Sequence, residues 1–185
     1  GAVYRATDRL TGQTVALKRV IAPMARPEAV EDDLRLTLAN EFQTLASLHH
    51  PHIIGVLDYG FDAQRQPYFT MEYLHDAQTI LQAGMGKPVA EQVELLIQVL
   101  EVLVYLHRQG VLHRDLKPSN VLVVDGMARV TDFGLKVPRD EARGTVGTFA
   151  YLAPEVLVGK PAGEPADLYA VGIIAYEMFA GRHPV

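Results

Sequence analysis

The spacing of apolar and polar positions changes character along the chain. Over the first third it favours short extended runs. Val3–Ala6 and Thr14–Val20 read as β-strands separated by a turn around Asp8–Gly12. Residues 21–27 carry two prolines and read as a loop. From Glu28 to Leu48, Leu34, Leu38, Leu45 and Leu48 recur at spacings of three, four and seven. That period predicts an amphipathic helix, which Pro51 stops. Ile53–Phe61 and Tyr68–Tyr73 read as two further strands, with Gly60 and Pro67 marking their connection.

After Leu74 the helical period takes over. The spacing predicts a helix over Val89–Arg108, bounded by Pro88 and Gly110. Its apolar positions include Val93, Leu96, Ile97, Leu100, Leu103, Val104 and Leu106. Val121–Val124 and Met127–Val130 flank Asp125-Gly126, a strong hairpin signal. Pro154–Gly159 reads as a short helix with a glycine stop. Ala166–Ala180 is apolar nearly all round, which predicts a helix buried on most sides. The shift near Leu74 divides the chain into a strand-rich part, 1–73, and a helix-rich part, 74–185, an α+β organisation.

Composition narrows the class. With 185 residues, 49% hydrophobic and 21% charged, the chain can bury a sizeable core. A disordered tail, a collagen repeat and a disulfide-stapled mini-protein are excluded. The formal charge of −5 gives no global pull toward nucleic acid, which is not expected as a partner. No cysteine is present, so there is no disulfide and no thiolate metal site. Together with the lack of a signal-peptide pattern, this fits a cytoplasmic location. The longest apolar run, near Ala170–Ala180, contains Glu177 and is too short to cross a bilayer, so no membrane segment is expected.

The candidate chemistry lies in four short stretches. His113-Arg114-Asp115-Leu116-Lys117-Pro118-Ser119-Asn120 is the most informative. Asp132-Phe133-Gly134 starts twelve residues beyond Asn120, and Ala153-Pro154-Glu155 starts twenty-one beyond Asp132. Val15-Ala16-Leu17-Lys18 lies upstream on the second predicted strand. In this order and context the stretches resemble those of eukaryotic-type serine/threonine protein kinases, and the resemblance runs over the whole chain.

The resemblance implies a bilobal fold, with a small antiparallel β lobe and a mainly helical lobe, both incomplete here. It implies transfer of the γ-phosphate of ATP, with Mg²⁺, to Ser or Thr hydroxyls of protein substrates. The chemistry explains the residue types, because the triphosphate and the charge that develops on transfer need cations in fixed positions. Lys18 is implied to bind the α- and β-phosphates, with Glu41 holding it in place. Asp132 and Asn120 are implied as Mg²⁺ ligands, since hard oxygen donors suit that ion. Asp115 would orient the acceptor hydroxyl and take its proton, and Lys117 would offset charge on the γ-phosphate. Val3 and Ala16 would roof the adenine, Leu122 would floor it, and Met71 would stand behind it. Glu72, Tyr73 and Leu74 would bind it through backbone groups. Asp-Leu-Lys-Pro, together with Gly147-Thr148 ahead of Tyr151, agrees with the Ser/Thr branch.

The chain also departs from the pattern. Gly1-Ala2-Val3 matches only the last part of the glycine-rich loop, so Gly1 is the one glycine of that loop present. The chain stops just after Ala166–Ala180, where relatives continue with more helices. A longer protein with further domains is therefore expected. Within the family, Arg114 often receives a phosphate from the activation segment. Thr145 is the candidate acceptor here, while Asp140 and Glu141 offer a permanent charge instead. His113 is expected to be a packed structural residue. His49, His50 and His52 are expected to form a loop beside Pro51 rather than a metal cluster. Asp167 is implied to anchor the backbone around His113-Arg114, against the simpler reading as an acid at a helix N-terminus. A non-catalytic scaffold of the family would typically have lost at least one of Lys18, Asp115, Asn120 and Asp132, and all four stand. A small-molecule phosphotransferase is disfavoured, because Ala153-Pro154-Glu155 and Gly147-Thr148 suit a peptide platform.

Overall fold

A computed structural model describes residues 2–19, 42, 45–64, 66–132 and 149–184. The chain divides into two compact units, one of Gly1–His49 with Ile54–His75 and the other of His50–Ile53 with Asp76–Val185.

The first unit is built on a four-stranded antiparallel sheet. Its strands are β1 (Ala2–Thr7), β2 (Thr14–Arg19), β3 (Val56–Phe61) and β4 (Pro67–Glu72), in the order β1-β2-β4-β3. The β1–β2 turn forms where Asp8 and Gly12 predict it. The Asp8 carboxylate accepts from the Leu10 amide and the Thr11 hydroxyl, each at 2.8 Å, and Gly12 takes a left-handed φ of 73°. Those hydrogen bonds, the Leu10 amide first, hold the Asp8 carboxyl below its ordinary pKa. β3 starts at Val56 rather than Ile53. Ile53 instead makes an isolated parallel bridge to Val130 in the second unit, to which it belongs. Residues 42 and 45–47 are helical, and the rest of the helix expected over Glu28–Leu48, like the loop before it, lies outside the described residues.

The second unit is mainly helical. Thr79 opens α1 (Ile80–Gly84) with a capping box. Its hydroxyl accepts from the Gln82 amide while the Gln82 side chain accepts from the Thr79 amide. α2 spans Val89–Arg108, with the ends that Pro88 and Gly110 predict. Of its expected apolar positions, Leu96, Leu103 and Leu106 face inward and the other four do not. Gln92, Leu95, Leu96, Val99, Val102, Leu103 and Leu106 are buried, whereas Val93, Ile97, Leu100 and Val104 are 38–50% exposed. Apolar side chains occupy both faces, so periodicity alone could not choose between them. The inward face also carries two glutamines. The Gln92 amide donates to the Gly84 and Met178 carbonyls.

A three-stranded sheet, in the order β5-β6-β7, joins β5 (Gln78–Thr79), β6 (Val121–Val124) and β7 (Met127–Val130). Asp125 and Gly126 form the β6–β7 turn with φ of 51° and 75°, as a two-residue type I′ hairpin requires. A Cβ at Gly126 would meet nothing within 4 Å, so its constraint is purely conformational. Gly126→Ala is expected to cost about 1 kcal/mol, read as a lower urea midpoint with an unchanged m-value.

β7 is an edge strand, and its outward groups are capped rather than left open. The Ala128 amide donates to Gln98 Oε1 at 2.7 Å, and His52 Nδ1 donates to the Ala128 carbonyl at 2.9 Å. The Val130 amide donates to the His52 carbonyl at 2.8 Å. The unit is completed by α3 (Pro154–Leu157) and α4 (Glu164–Ala180). The expectation that α4 is buried on most sides is corrected. Ala170, Val171, Ile173, Ile174 and Met178 are buried, but Leu168, Tyr169, Tyr176 and Phe179 are 37–50% exposed among the described residues. No helix among the described residues is long and apolar enough to cross a membrane.

Candidate active site

The loop from His113 to Asn120 is held from below by one buried carboxylate. Asp167, in the first turn of α4, is 2% exposed. Its Oδ2 accepts from the His113 amide and its Oδ1 from the Arg114 amide, each at 2.9 Å. His107, near the end of α2, places Nε2 2.9 Å from Oδ2. Asp167 thus does more than complement a helix dipole, because it pins the loop backbone. The pin bears on strain. Arg114 has a φ of 64°, a region that residues other than glycine hold only when their surroundings over-determine it.

His113 is fully buried and its ring is satisfied on both sides. Nε2 donates to the Thr131 carbonyl at 3.1 Å, and Nδ1 accepts from the Asp115 amide at 3.4 Å. That pairing assigns the neutral Nε2–H tautomer. Burial lowers the His113 pKa, outweighing the opposing pull of the Asp167, Asp115 and Asp132 carboxylates. The unfolded chain therefore binds a proton that the folded chain refuses. Stability is expected to fall as pH drops below about 6.5, by up to about 1.4 kcal/mol per pH unit from this group. Urea titrations at several pH values should show this slope in the natural chain and a shallower one in His113→Phe. His50, whose pKa burial also lowers, acts in the same direction in both proteins.

On this base the functional side chains converge. Lys117 Nζ lies 2.9 Å from Asp115 Oδ2. Asn120 Nδ2 donates to the Asp115 carbonyl at 2.8 Å and toward its Oδ2 at 3.3 Å. The amide nitrogen of Asn120 is thereby committed to the loop, which fixes the side chain's flip. Its oxygen, which Ser119 Oγ approaches at 3.4 Å, is the atom left to act as a donor to a cation. The Asn120 carbonyl accepts from the Thr131 amide at 2.9 Å, so Asp132 emerges beside the loop. Asp132, like Arg114, has a φ of 64°. An amide oxygen and a carboxylate form a hard donor set that fits Mg²⁺, an ion that normally keeps several other ligands from water and phosphate. Among the described residues no group of three or more His, Asp or Glu is arranged to hold a metal ion. His49, His50 and His52 each engage their own neighbours. His49 Nδ1 meets the Ser47 carbonyl, His50 Nδ1 accepts from the His52 amide, and His52 Nδ1 serves Ala128.

In the β-sheet unit the register brings the other expected residues onto one face. Val3 lies opposite Lys18, and Lys18 opposite Phe69. Ala16 lies opposite Met71. Because side chains alternate, Val3, Ala16, Lys18, Phe69 and Met71 share that face. Lys18 Nζ stands 5.9 Å from the centroid of the Phe69 ring. Met71 is buried, Glu72 ends β4 with its amide bonded to the Gly55 carbonyl, and Leu74 follows just beyond. Leu122 lies on β6 in the second unit, opposite Arg129. Gly1, Glu41, Phe133, Asp140, Glu141, Thr145 and Thr148 lie outside the described residues.

Three supporting residues carry no motif signal: His107, His52 and Gln98. The only hint in the chain is that Gln98 is a polar residue flanked by the inward-facing apolar run Leu95, Leu96 and Val99.

Comparison with known proteins agrees with this arrangement. The profile of the family described as the protein kinase domain matches residues 1–185. The chain is 37% identical to the cell division control protein 2 homolog 3 of Trypanosoma brucei brucei, over 98% of this chain and 59% of that protein. It is 34% identical to a probable serine/threonine-protein kinase of Streptomyces coelicolor, over 98% of this chain and 28% of the relative. The same figures hold for the probable serine/threonine-protein kinase PknB of Bifidobacterium longum. The chain thus spans between about a quarter and three-fifths of the length of these relatives. A pinned His113–Asn120 loop, Asp132 beside it and a lysine-bearing antiparallel sheet, with a family match over the full length, make this chain a member of the protein kinase domain family.

Proposed function

We propose that the chain is the catalytic core of a protein serine/threonine kinase that transfers the γ-phosphate of ATP to Ser or Thr hydroxyls of protein substrates. One observation carries the reading. The Asp115 carboxylate is held by Lys117 and Asn120 on a loop whose backbone is fixed by the buried Asp167. That arrangement suits an acceptor hydroxyl that must be oriented and then lose its proton. Asp115 takes this role. Lys117, within hydrogen-bond reach of it, sets its orientation and offsets charge on the phosphoryl group. Asn120, through its amide oxygen, and Asp132, through its carboxylate, hold Mg²⁺. The ion supplies neutralisation of the phosphate oxygens when bound.

Lys18 binds the α- and β-phosphates, and Glu41 is its carboxylate partner. Val3, Ala16, Met71 and Leu122 contact the adenine, with the backbone at Glu72, Tyr73 and Leu74 supplying its hydrogen bonds. Gly1 belongs to the loop over the phosphates. The names of the bacterial relatives support the Ser/Thr class. On the same reading the protein works in the cytoplasm, where ATP and Mg²⁺ are supplied, and carries further domains.

The test is transfer of labelled γ-phosphate by the full-length protein to a generic protein substrate with Mg²⁺, followed by phosphoamino-acid identification. Phosphoserine or phosphothreonine is expected. Label on tyrosine would overturn the substrate class. Absence of label together with nucleotide-dependent thermal stabilisation would point to a binding module. Lys18→Met is expected to reduce transfer by at least about 10²-fold, as loss of a fixed cation at developing phosphate charge does.

A further inference from the structure

The β6–β7 hairpin connects two of the residues on which the proposed site depends. Asn120 immediately precedes β6, and Asp132 follows β7 after Thr131. The bond from the Thr131 amide to the Asn120 carbonyl, at 2.9 Å, closes the base of the hairpin. The hairpin is small, with four residues in each strand, and β5 adds only Gln78 and Thr79 on the far side of β6. Ladder bonds fix β7 against β6. Buried side chains of both strands pack the pair into the unit, and the outward groups of β7 add hydrogen bonds that hold it there.

Gln98 is placed to take part. Its side chain is buried on α2 and reaches the turn and the start of β7. Oε1 accepts from the Ala128 amide at 2.7 Å, and Nε2 donates to the Gly126 carbonyl at 3.3 Å. Ala128 is 0% exposed, so no water can stand in for the glutamine without a rearrangement. His52 grips the same residue on the same outward edge, through the Ala128 carbonyl. Asp132, two residues beyond β7, sits at a left-handed φ of 64°.

We infer that Gln98 is a positioning residue for metal–nucleotide binding: it clamps the β6–β7 hairpin to α2 through Gly126 and Ala128 and so holds in place the hairpin that carries both Asn120 and Asp132. The inference rests on the reading of Asp132 and Asn120 as metal ligands. It assigns no chemical step to Gln98. A clamp of this kind acts as outer-shell partners of a metal site do, by holding ligands in place.

The experiment measures binding rather than turnover. The affinity of the full-length protein for Mn²⁺ with a non-hydrolysable ATP analogue is determined by calorimetry, alongside that for the analogue without metal. Gln98→Met, which keeps length and removes both hydrogen bonds, should weaken metal–analogue binding about tenfold and leave metal-free binding unchanged. Gln98→Glu keeps an acceptor for the Ala128 amide but sets an oxygen against the Gly126 carbonyl, so it should recover only part of the loss. Asp132→Asn tests the underlying reading. If it binds Mn²⁺ with the analogue as the natural protein does, the metal assignment fails whatever Gln98 does. If Asp132→Asn loses metal while Gln98→Met stays within about twofold of the natural protein, the positioning role is overturned. Should Gln98→Met not fold, amide exchange in the natural protein decides. By linkage, metal–analogue binding must slow exchange at the Ala128 amide, and an unchanged rate would overturn the inference.

Discussion

Asp167→Ala is expected to lower the stability of the protein by about 2–4 kcal/mol, for one buried and one part-buried backbone donor left without an acceptor. The donors are the His113 and Arg114 amides, and the ring of His107 loses its partner as well. Asp167 is 2% exposed, so water cannot replace it at no cost. The loss should not stop at stability. With the anchor gone, Arg114 is free to leave its left-handed conformation, and the loop that presents Asp115 relaxes with it. Asp167→Asn keeps one oxygen and should cost about half as much. Urea denaturation of the three proteins measures the series. A loss below about 1 kcal/mol for Asp167→Ala would show that the loop is held by something else.

Asp115→Asn is expected to reduce turnover about 10²–10⁴-fold, the range a positioned general base supplies. Nucleotide binding should be unchanged, because the reading gives Asp115 no contact with the nucleotide. Stability should change little. The Asp115 side chain is 22% exposed, and an asparagine can still accept from Lys117 and Asn120. The pattern to check is therefore a fall in kcat with the KM for ATP held. A rise in KM with kcat intact would assign Asp115 to binding instead.

Much of this fold was legible because its local signals are chemical rather than statistical. Asp8 and Gly12 specify a turn through side-chain acceptors and a left-handed residue. Pro88 and Gly110 bracket α2, and Asp125-Gly126 writes a hairpin into the chain. The inward face of α2 was not legible, because apolar residues line both of its faces. What selects the face is the partner backbone at Gly84, Gly126 and Ala128, which Gln92 and Gln98 reach only once the chain has folded. The capping box of α1 was readable in Thr79 and Gln82, but it opens a helix of only five residues with no period to announce it. Ile53 looked like part of a strand by its β-branched side chain, yet the four residues His50–Ile53 belong with the second unit, where β7 needs a cap.

The same division applies to the site. Asp115, Lys117, Asn120 and Asp132 stood out because their stretches resemble those of protein kinases, and phosphoryl transfer explains their residue types. Asp167 could be named from its likeness to the family, but its three hydrogen bonds follow from tertiary placement alone. His52 and Gln98 act through the backbone of Ala128, which no motif encodes.

The central claim is that the pinned His113–Asn120 loop carries phosphoryl transfer. Its most direct test is a single turnover: the full-length protein and its Asp115→Asn variant are loaded with Mg²⁺ and labelled ATP, then mixed with excess Ser/Thr protein substrate. The account predicts that both proteins bind nucleotide equally and that the variant transfers the label at least about 10²-fold more slowly. Equal transfer rates from equally loaded proteins would contradict it.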